Sequence, residues 1–114
     1  MTRHQLIDFI AGEYGVDPEY LWEDDPAACI FRNPHNRKWF AIIMRVRRRS
    51  LGQDSDEFVD IVDFKARNAD ENVDPRCLPG YHMNKRHWLT IILGDVGADF
   101  VFEKVHESYR LVDN

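Results

Sequence analysis

His82, Asn84, Lys85, Arg86 and His87 crowd into the short stretch between a Pro79-Gly80 pair and the apolar run Trp88-Leu89-Thr90-Ile91-Ile92-Leu93. One ammonium, one guanidinium and two imidazoles supply N–H donors that suit a phosphate or a carboxylate. The same residues have a plainer reading: Asn84 closes an Asx-type turn, one histidine satisfies a buried carbonyl, and Lys85 and Arg86 are solvated. His82 and His87 lack the i, i+4 helical spacing and adjacent glutamate of zinc proteases. They could still converge on a metal through a loop, but no third ligand is indicated. An imidazole beside Lys85 could serve as a general acid or base. No nucleophile, oxyanion hole, phosphate-cradling glycine loop or G-x-S-x-G elbow accompanies it. The expectation is a protein without catalytic residues, bound metal or cofactor.

A second cationic stretch holds Arg45, Arg47, Arg48 and Arg49. Residues 26–53 contain Arg32, Arg37, Lys38 and these arginines with no acidic residue, and residues 75–94 contain Arg76, Lys85 and Arg86 with none. The net charge of −5 opposes strong nonspecific attraction to nucleic acid. If the two basic segments meet in space, an acidic protein could carry one basic face.

The elements that must position these residues are legible from periodicity. Thr2 and Gln5 form a capping-box pattern, and Leu6, Phe9, Ile10 and Tyr14 recur at helical spacing, predicting a helix from Arg3 to Tyr14 stopped by Gly15. Residues 16–22 predict a turn with one helical turn starting at Pro18, and residues 23–26 an acidic linker; Trp22, where the two join, is the aromatic expected to be exposed. Residues 28–32 predict a short strand, 33–37 a turn, and 38–47 an interior strand whose end alternates Arg45-Val46-Arg47. A polar hairpin with Gly52 and Asp54 returns residues 58–65 antiparallel, which brings Arg45 or Arg47 within a register step of Asp60. That pairing is ordinary sheet chemistry and competes with any functional role for those two arginines. Arg48 and Arg49, at the tip, are expected to be freer. Residues 66–77 predict a loop with one helical turn near Asp74-Pro75. Pro79-Gly80 suits a type II turn, residues 88–93 a largely buried strand, and residues 99–112 a closing amphipathic helix through Val101, Val105, Tyr109 and Val112.

At 114 residues and 44% hydrophobic content the chain suits one domain with one two-layer core. No apolar run approaches a bilayer span, and the first residues lack the apolar core of a secretory signal, so a cytoplasmic protein away from membranes is expected. Cys29 lies in an apolar run and reads as a small buried hydrophobe; a disulfide to Cys77 is unexpected in a reducing compartment.

The run Pro79-Gly80-Tyr81-His82-Met83-Asn84-Lys85-Arg86-His87-Trp88 resembles the signature of the MmcQ/YjbR family of small bacterial proteins. The segment from Asn36 to Ile43 resembles a second landmark of that family, and Ser108-Tyr109-Arg110-Leu111-Val112 fits its closing helix. The resemblance implies an α+β domain similar to type III secretion chaperones, with DNA binding through a double wing as its proposed role. Two departures stand out: residues 66–77 lack the apolar periodicity of a helix the family carries there, and Gly94-Asp95-Val96-Gly97 replaces its usual Asp-Gly-Ser.

The resulting expectation is an antiparallel sheet of about four strands with an N-terminal and a C-terminal helix over one face. Its function would be DNA binding through Arg45, Arg47, Arg48 and Arg49 on one wing and Lys85, Arg86 and His87 as a second contact. Arg37, Lys38, His82 and Asn84 are further candidates for holding an anion. The competing class is a protein-interaction module with no nucleic-acid role.

Overall fold

The computed structural model describes residues 1–113. Helix α1 spans Arg3–Tyr14 and is closed at its start by the capping box, with the Gln5 N–H donating to the Thr2 hydroxyl at 3.2 Å and the Thr2 N–H to the Gln5 side chain at 2.9 Å. Gly15 ends it with φ +65°, where a side chain would be strained. The chain then runs extended, because Glu19 exchanges both backbone hydrogen bonds with Ile30, each at 2.9 Å. That bridge replaces the helical turn expected at Pro18.

Strands β1 (Cys29–Arg32), β2 (Trp39–Arg47), β3 (Phe58–Lys65), β4 (Leu78–Pro79) and β5 (Trp88–Ile92) form one antiparallel sheet in the order β1-β2-β3-β5-β4. There are five strands where about four were expected. The additional one is the two-residue edge strand β4, too short to leave a periodic trace in sequence. Helix α2 spans Ala98–Val112.

Alternation along the strands divides the sheet into two faces. Ala41, Ile43, Val62, Phe64, Leu89 and Ile91 lie under both helices, against Leu6, Ile10, Val101 and Val105. The register skips at Phe31/Arg32, so Phe40 is the extra residue of a bulge and turns onto the helix face, edge-on to Tyr109 at 5.0 Å. The opposite face carries Ile30, Ile42 and Trp88, then Val46, Ile61 and Ile92. Neither α1 nor α2 covers it; Trp22, Tyr81 and Met83 pack there from loops and Leu78 from β4. Trp22, expected to be exposed, is half-buried for that reason.

Two loop expectations change. The short helical turn in residues 66–77 is a 3-10 turn at Ala69–Glu71, while Asp74 accepts hydrogen bonds from the backbone and side chain of Arg76. Gly80 is not in the left-handed region, so Pro79-Gly80 is no type II turn. Glycine is required there by close approach, since a Cβ would lie 2.8 Å from Cβ and O of Trp88.

One helix–sheet contact shapes the end of the sheet. The last β2–β3 pair is Ala41 with Phe64, and Phe40 with Lys65 would come next. Instead the buried Ser108 hydroxyl of α2 stands between them, donating to the Phe40 carbonyl at 2.7 Å and accepting from the Lys65 N–H at 2.8 Å. Ser108→Ala would leave two backbone groups without their partner, and each such loss costs about 1–3 kcal/mol. Urea denaturation should show a destabilisation of that order, and an unchanged midpoint would mean the strands close the rung themselves.

Candidate functional site

The structure sorts the predicted cations into two groups at opposite ends of β2. At the hairpin the arginines are engaged by neighbouring carboxylates. The Arg48 guanidinium, on the 3-10 turn Arg48–Leu51, meets Glu57 at 2.6 Å and both oxygens of Asp95 at 2.7 and 2.9 Å. These pairs hold the Asp95 carboxyl below its ordinary range and raise Arg48 further. Arg49 meets Asp56 at 2.8 Å and Asp54 at 3.7 Å. Arg45 lies opposite Asp60, as the register reading anticipated, at 3.5 Å. Arg47 lies over the exposed Phe58 ring at 4.3 Å and donates to the Asp56 carbonyl. Arg48 and Arg49, expected to be freer than the strand arginines, are the more fully paired.

At the other end of the sheet the start of β2, the end of β3 and the start of β5 come together. Lys38, Lys65, Arg67 and His87 line a concavity of about 380 Å³ with Asn68 and the C-terminal turn of α2, and among the described residues no acidic side chain lines it. Here the two basic segments do meet, through Lys38 and His87. No ion pair engages Lys38, Lys65 or Arg67 among the described residues. Lys65 lies 6.0 Å from the Trp88 ring, and Arg86 stands beside Asp70 at 4.0 Å. Lys65 and Arg67 escaped the sequence reading although a signal existed. The register that sets Arg45 opposite Asp60 sets Lys38 opposite Arg67 when continued past Phe64. Like charges placed so repel, and there the ladder gives way to Ser108.

Asn84 forms the Asx turn, accepting from the Arg86 N–H at 2.9 Å, and Lys85 donates to the Gly80 carbonyl at 2.8 Å. Arg37 reaches Glu19 at 3.4 Å. His82 adopts φ +57°, stacks on Tyr81 at 3.9 Å and faces a different concavity from His87. Among the described residues no group of His, Cys, Asp or Glu is placed to hold a metal ion. Cys29 and Cys77 are buried free thiols, and burial pushes Cys77 up to about 11.

The His82 concavity, about 370 Å³, lies on the helix-free face between Trp22, Asp24, Asp25, Trp39, Met44, Tyr81 and Met83. Its lining includes Asp63 of β3, which sequence reading passed over as one charged residue in an alternating strand. Asp63 is fully buried. One oxygen accepts from the Thr90 hydroxyl, and the other has no hydrogen-bond partner among the described residues. Burial pushes its carboxyl up to about 7, against the opposing pull of Thr90 and Lys85.

Comparison with known proteins now places the chain. The YjbR family model matches residues 12–111. The chain belongs to the YjbR family. It is 32% identical to the uncharacterized protein YyaQ of Bacillus subtilis, over 97% of this chain and 98% of that one. A crystal structure of a Pseudomonas syringae protein superposes with a TM-score of 0.90 at 33% identity, covering 97% of this chain and 98% of that one. A Deinococcus radiodurans protein shares the fold with a TM-score of 0.63 at 21% identity, covering 93% of this chain and 77% of that one. No helix of this YjbR-family chain, among the described residues, is long and apolar enough to cross a membrane.

The raised Asp63 carboxyl has a consequence for stability. Between the ordinary value of 3.8 and about 7 the folded state keeps a proton that the unfolded chain has released. The contribution of Asp63 to stability therefore falls as pH rises through that window. Asp63→Asn keeps an oxygen for Thr90 and removes the charge. The variant should be more stable than the parent near pH 8, by on the order of a few kcal/mol and with a higher melting temperature, and should approach it near pH 5. Melting curves whose separation ignores pH would refute the assignment.

Proposed function

We propose that this chain is a noncatalytic binding module that contacts the phosphates of nucleic acid, DNA in the first instance. The contact lies where Lys38, Lys65, Arg67 and His87 gather, with Arg86 alongside. The observation that carries this reading is the concavity lined by those cations without an acidic side chain. An ammonium, a guanidinium or an imidazolium there neutralises phosphate charge and releases counterions, which does not require a positive net charge over the whole protein. Positioning without base reading is the expected outcome, because none of these side chains presents a fixed bidentate pair to a base edge.

The hairpin is not part of this contact. Arg48 and Arg49 would have to break pairs with Glu57, Asp95 and Asp56 before meeting a phosphate. The nine residues of β2 also separate the hairpin from Lys38, roughly 30 Å at the rise of an extended strand. A second reading, a protein-interaction module, draws on Tyr20 and Leu21, adjacent apolar residues that are 56% and 45% exposed.

Fluorescence anisotropy of labelled duplex DNA across a salt series separates these readings. Micromolar binding that weakens steeply with salt is expected. Lys38→Ala, Lys65→Ala and Arg67→Ala together should reduce the salt slope by about 2–3. Arg48→Ala with Arg49→Ala should leave the slope unchanged. Absence of binding at low salt would remove the nucleic-acid reading, and a loss of slope confined to the hairpin variant would return the contact to the arginines of the turn.

A further inference from the structure

The concavity on the helix-free face differs in every chemical respect from the cationic one. Its walls are aromatic and soft: Trp22 stands edge-on to Trp39 with centroids 6.1 Å apart, and Tyr81, Met44 and Met83 complete the lining. Its polar groups are carboxylates. Asp24 and Asp25 stand on the linker, and Asp63 lies in the floor, with His82 as the one basic-type side chain in the lining. Aromatic faces and methionine sulfurs attract cations and apolar groups together. A fully buried carboxylate with one unpartnered oxygen strengthens that preference, because charge acts further where water is excluded.

We propose that this concavity is a binding site for a small organic ammonium ion. The alkyl part lies among Trp22, Trp39, Met44 and Met83, and the positive nitrogen sits toward Asp63 beneath and Asp24 and Asp25 at the rim. A neutral ligand of the same shape would gain the apolar contacts and lose the attraction to three carboxylates. An anion would meet those carboxylates directly.

Lys85 is the competing cation. It is near enough to favour the ionised form of Asp63, yet its ammonium is turned to the Gly80 carbonyl at 2.8 Å and does not pair with the carboxylate. The carboxyl remains raised to about 7 in its presence. A cation entering the concavity adds to the pull of Lys85 and favours ionisation, so binding and proton release from Asp63 are linked. His82 is the basic-type side chain that shares the lining with these carboxylates. Asp24 and Asp25 are exposed or half-buried carboxylates at the rim that attract the ligand. Affinity therefore rises with pH, and the part of the rise owed to Asp63 is absent when residue 63 cannot ionise.

The test is a titration of the parent and Asp63→Asn with n-butylammonium chloride and with n-butanol, followed by NMR at the indole N–H resonances of Trp22 and Trp39. The expected result is a saturable shift of both indoles with the amine, about tenfold or more tighter than with the alcohol. The preference should narrow in Asp63→Asn, and parent affinity should rise from about pH 6 to about pH 8 more than that of the variant. Equal affinity for amine and alcohol in the parent would overturn the proposal. So would the absence of saturable shifts, or an amine preference retained in full by Asp63→Asn. A folded variant, verified by its backbone amide spectrum, makes the last comparison decisive. Binding of DNA does not enter this experiment, so its outcome is independent of the phosphate reading.

Discussion

The signature loop depends on a carboxylate buried in the middle of the sheet. Asp63 sits on the central strand with Ile42 on one side and Thr90 on the other. The Thr90 hydroxyl donates to Asp63, and the same oxygen accepts the Tyr81 N–H at 2.9 Å. This relay ties the first residue of the Tyr-His-Met-Asn-Lys run to the sheet floor. Local ties add to it: Gly80 donates to the Trp88 carbonyl, Lys85 donates back to Gly80, and the Asn84 carbonyl receives the N–H groups of His87 and Trp88, while the Ala66 and Ala69 N–H groups hold the His87 and Arg86 carbonyls to the segment after β3. Removing water from a carboxylate is costly, and an isosteric uncharged residue would often be as stable or more so. Fold stability alone does not account for an aspartate at this position.

That loop borders both concavities. Tyr81, His82 and Met83 face the aromatic one, while His87 faces the cationic one. The reversal between them is made by the Asn84 turn, whose side chain holds the Arg86 N–H. The five residues from His82 to His87 that share donor chemistry are thus not gathered at one concavity. Lys85 is withdrawn as a brace, Asn84 shapes the backbone, and the two imidazoles serve opposite electrostatic surroundings.

The same separation of roles holds for the arginines. Ion pairs on exposed hairpins contribute little stability individually, but a guanidinium held by two carboxylates is fixed in direction and no longer available as a free charge. Arg48 spans from its own hairpin to Asp95 in the turn ahead of α2, so its effect is to pin the β2–β3 turn against the segment that follows β5. At the far end Lys38, Lys65 and Arg67 have no such carboxylate partner among the described residues. The C-terminal turn of α2 that closes their concavity carries the negative end of a helix dipole. Its Val112 carbonyl is taken by the Asn36 amide at 2.6 Å.

The sequence conveyed what periodicity and local chemistry encode. The capping box at Thr2, the strand from 39 to 47, the antiparallel return that sets Asp60 against Arg45, and the closing helix through Val105 all follow from residues near one another in the chain. What escaped it depends on residues far apart. Pairing of Arg48 with Asp95 needs the position of the turn after β5. Burial of Trp22 needs the Glu19–Ile30 bridge that lays the linker along β1. Asp63 alternates with apolar neighbours as a solvent-facing residue would, and only the loop folded back over that face makes it a buried one. A period of two identifies which side chains share a face; it does not say what covers the face. For this chain the sequence therefore located the polar segments correctly and misjudged which charges were free, because freedom of a charge is a property of its partners and not of its own neighbourhood.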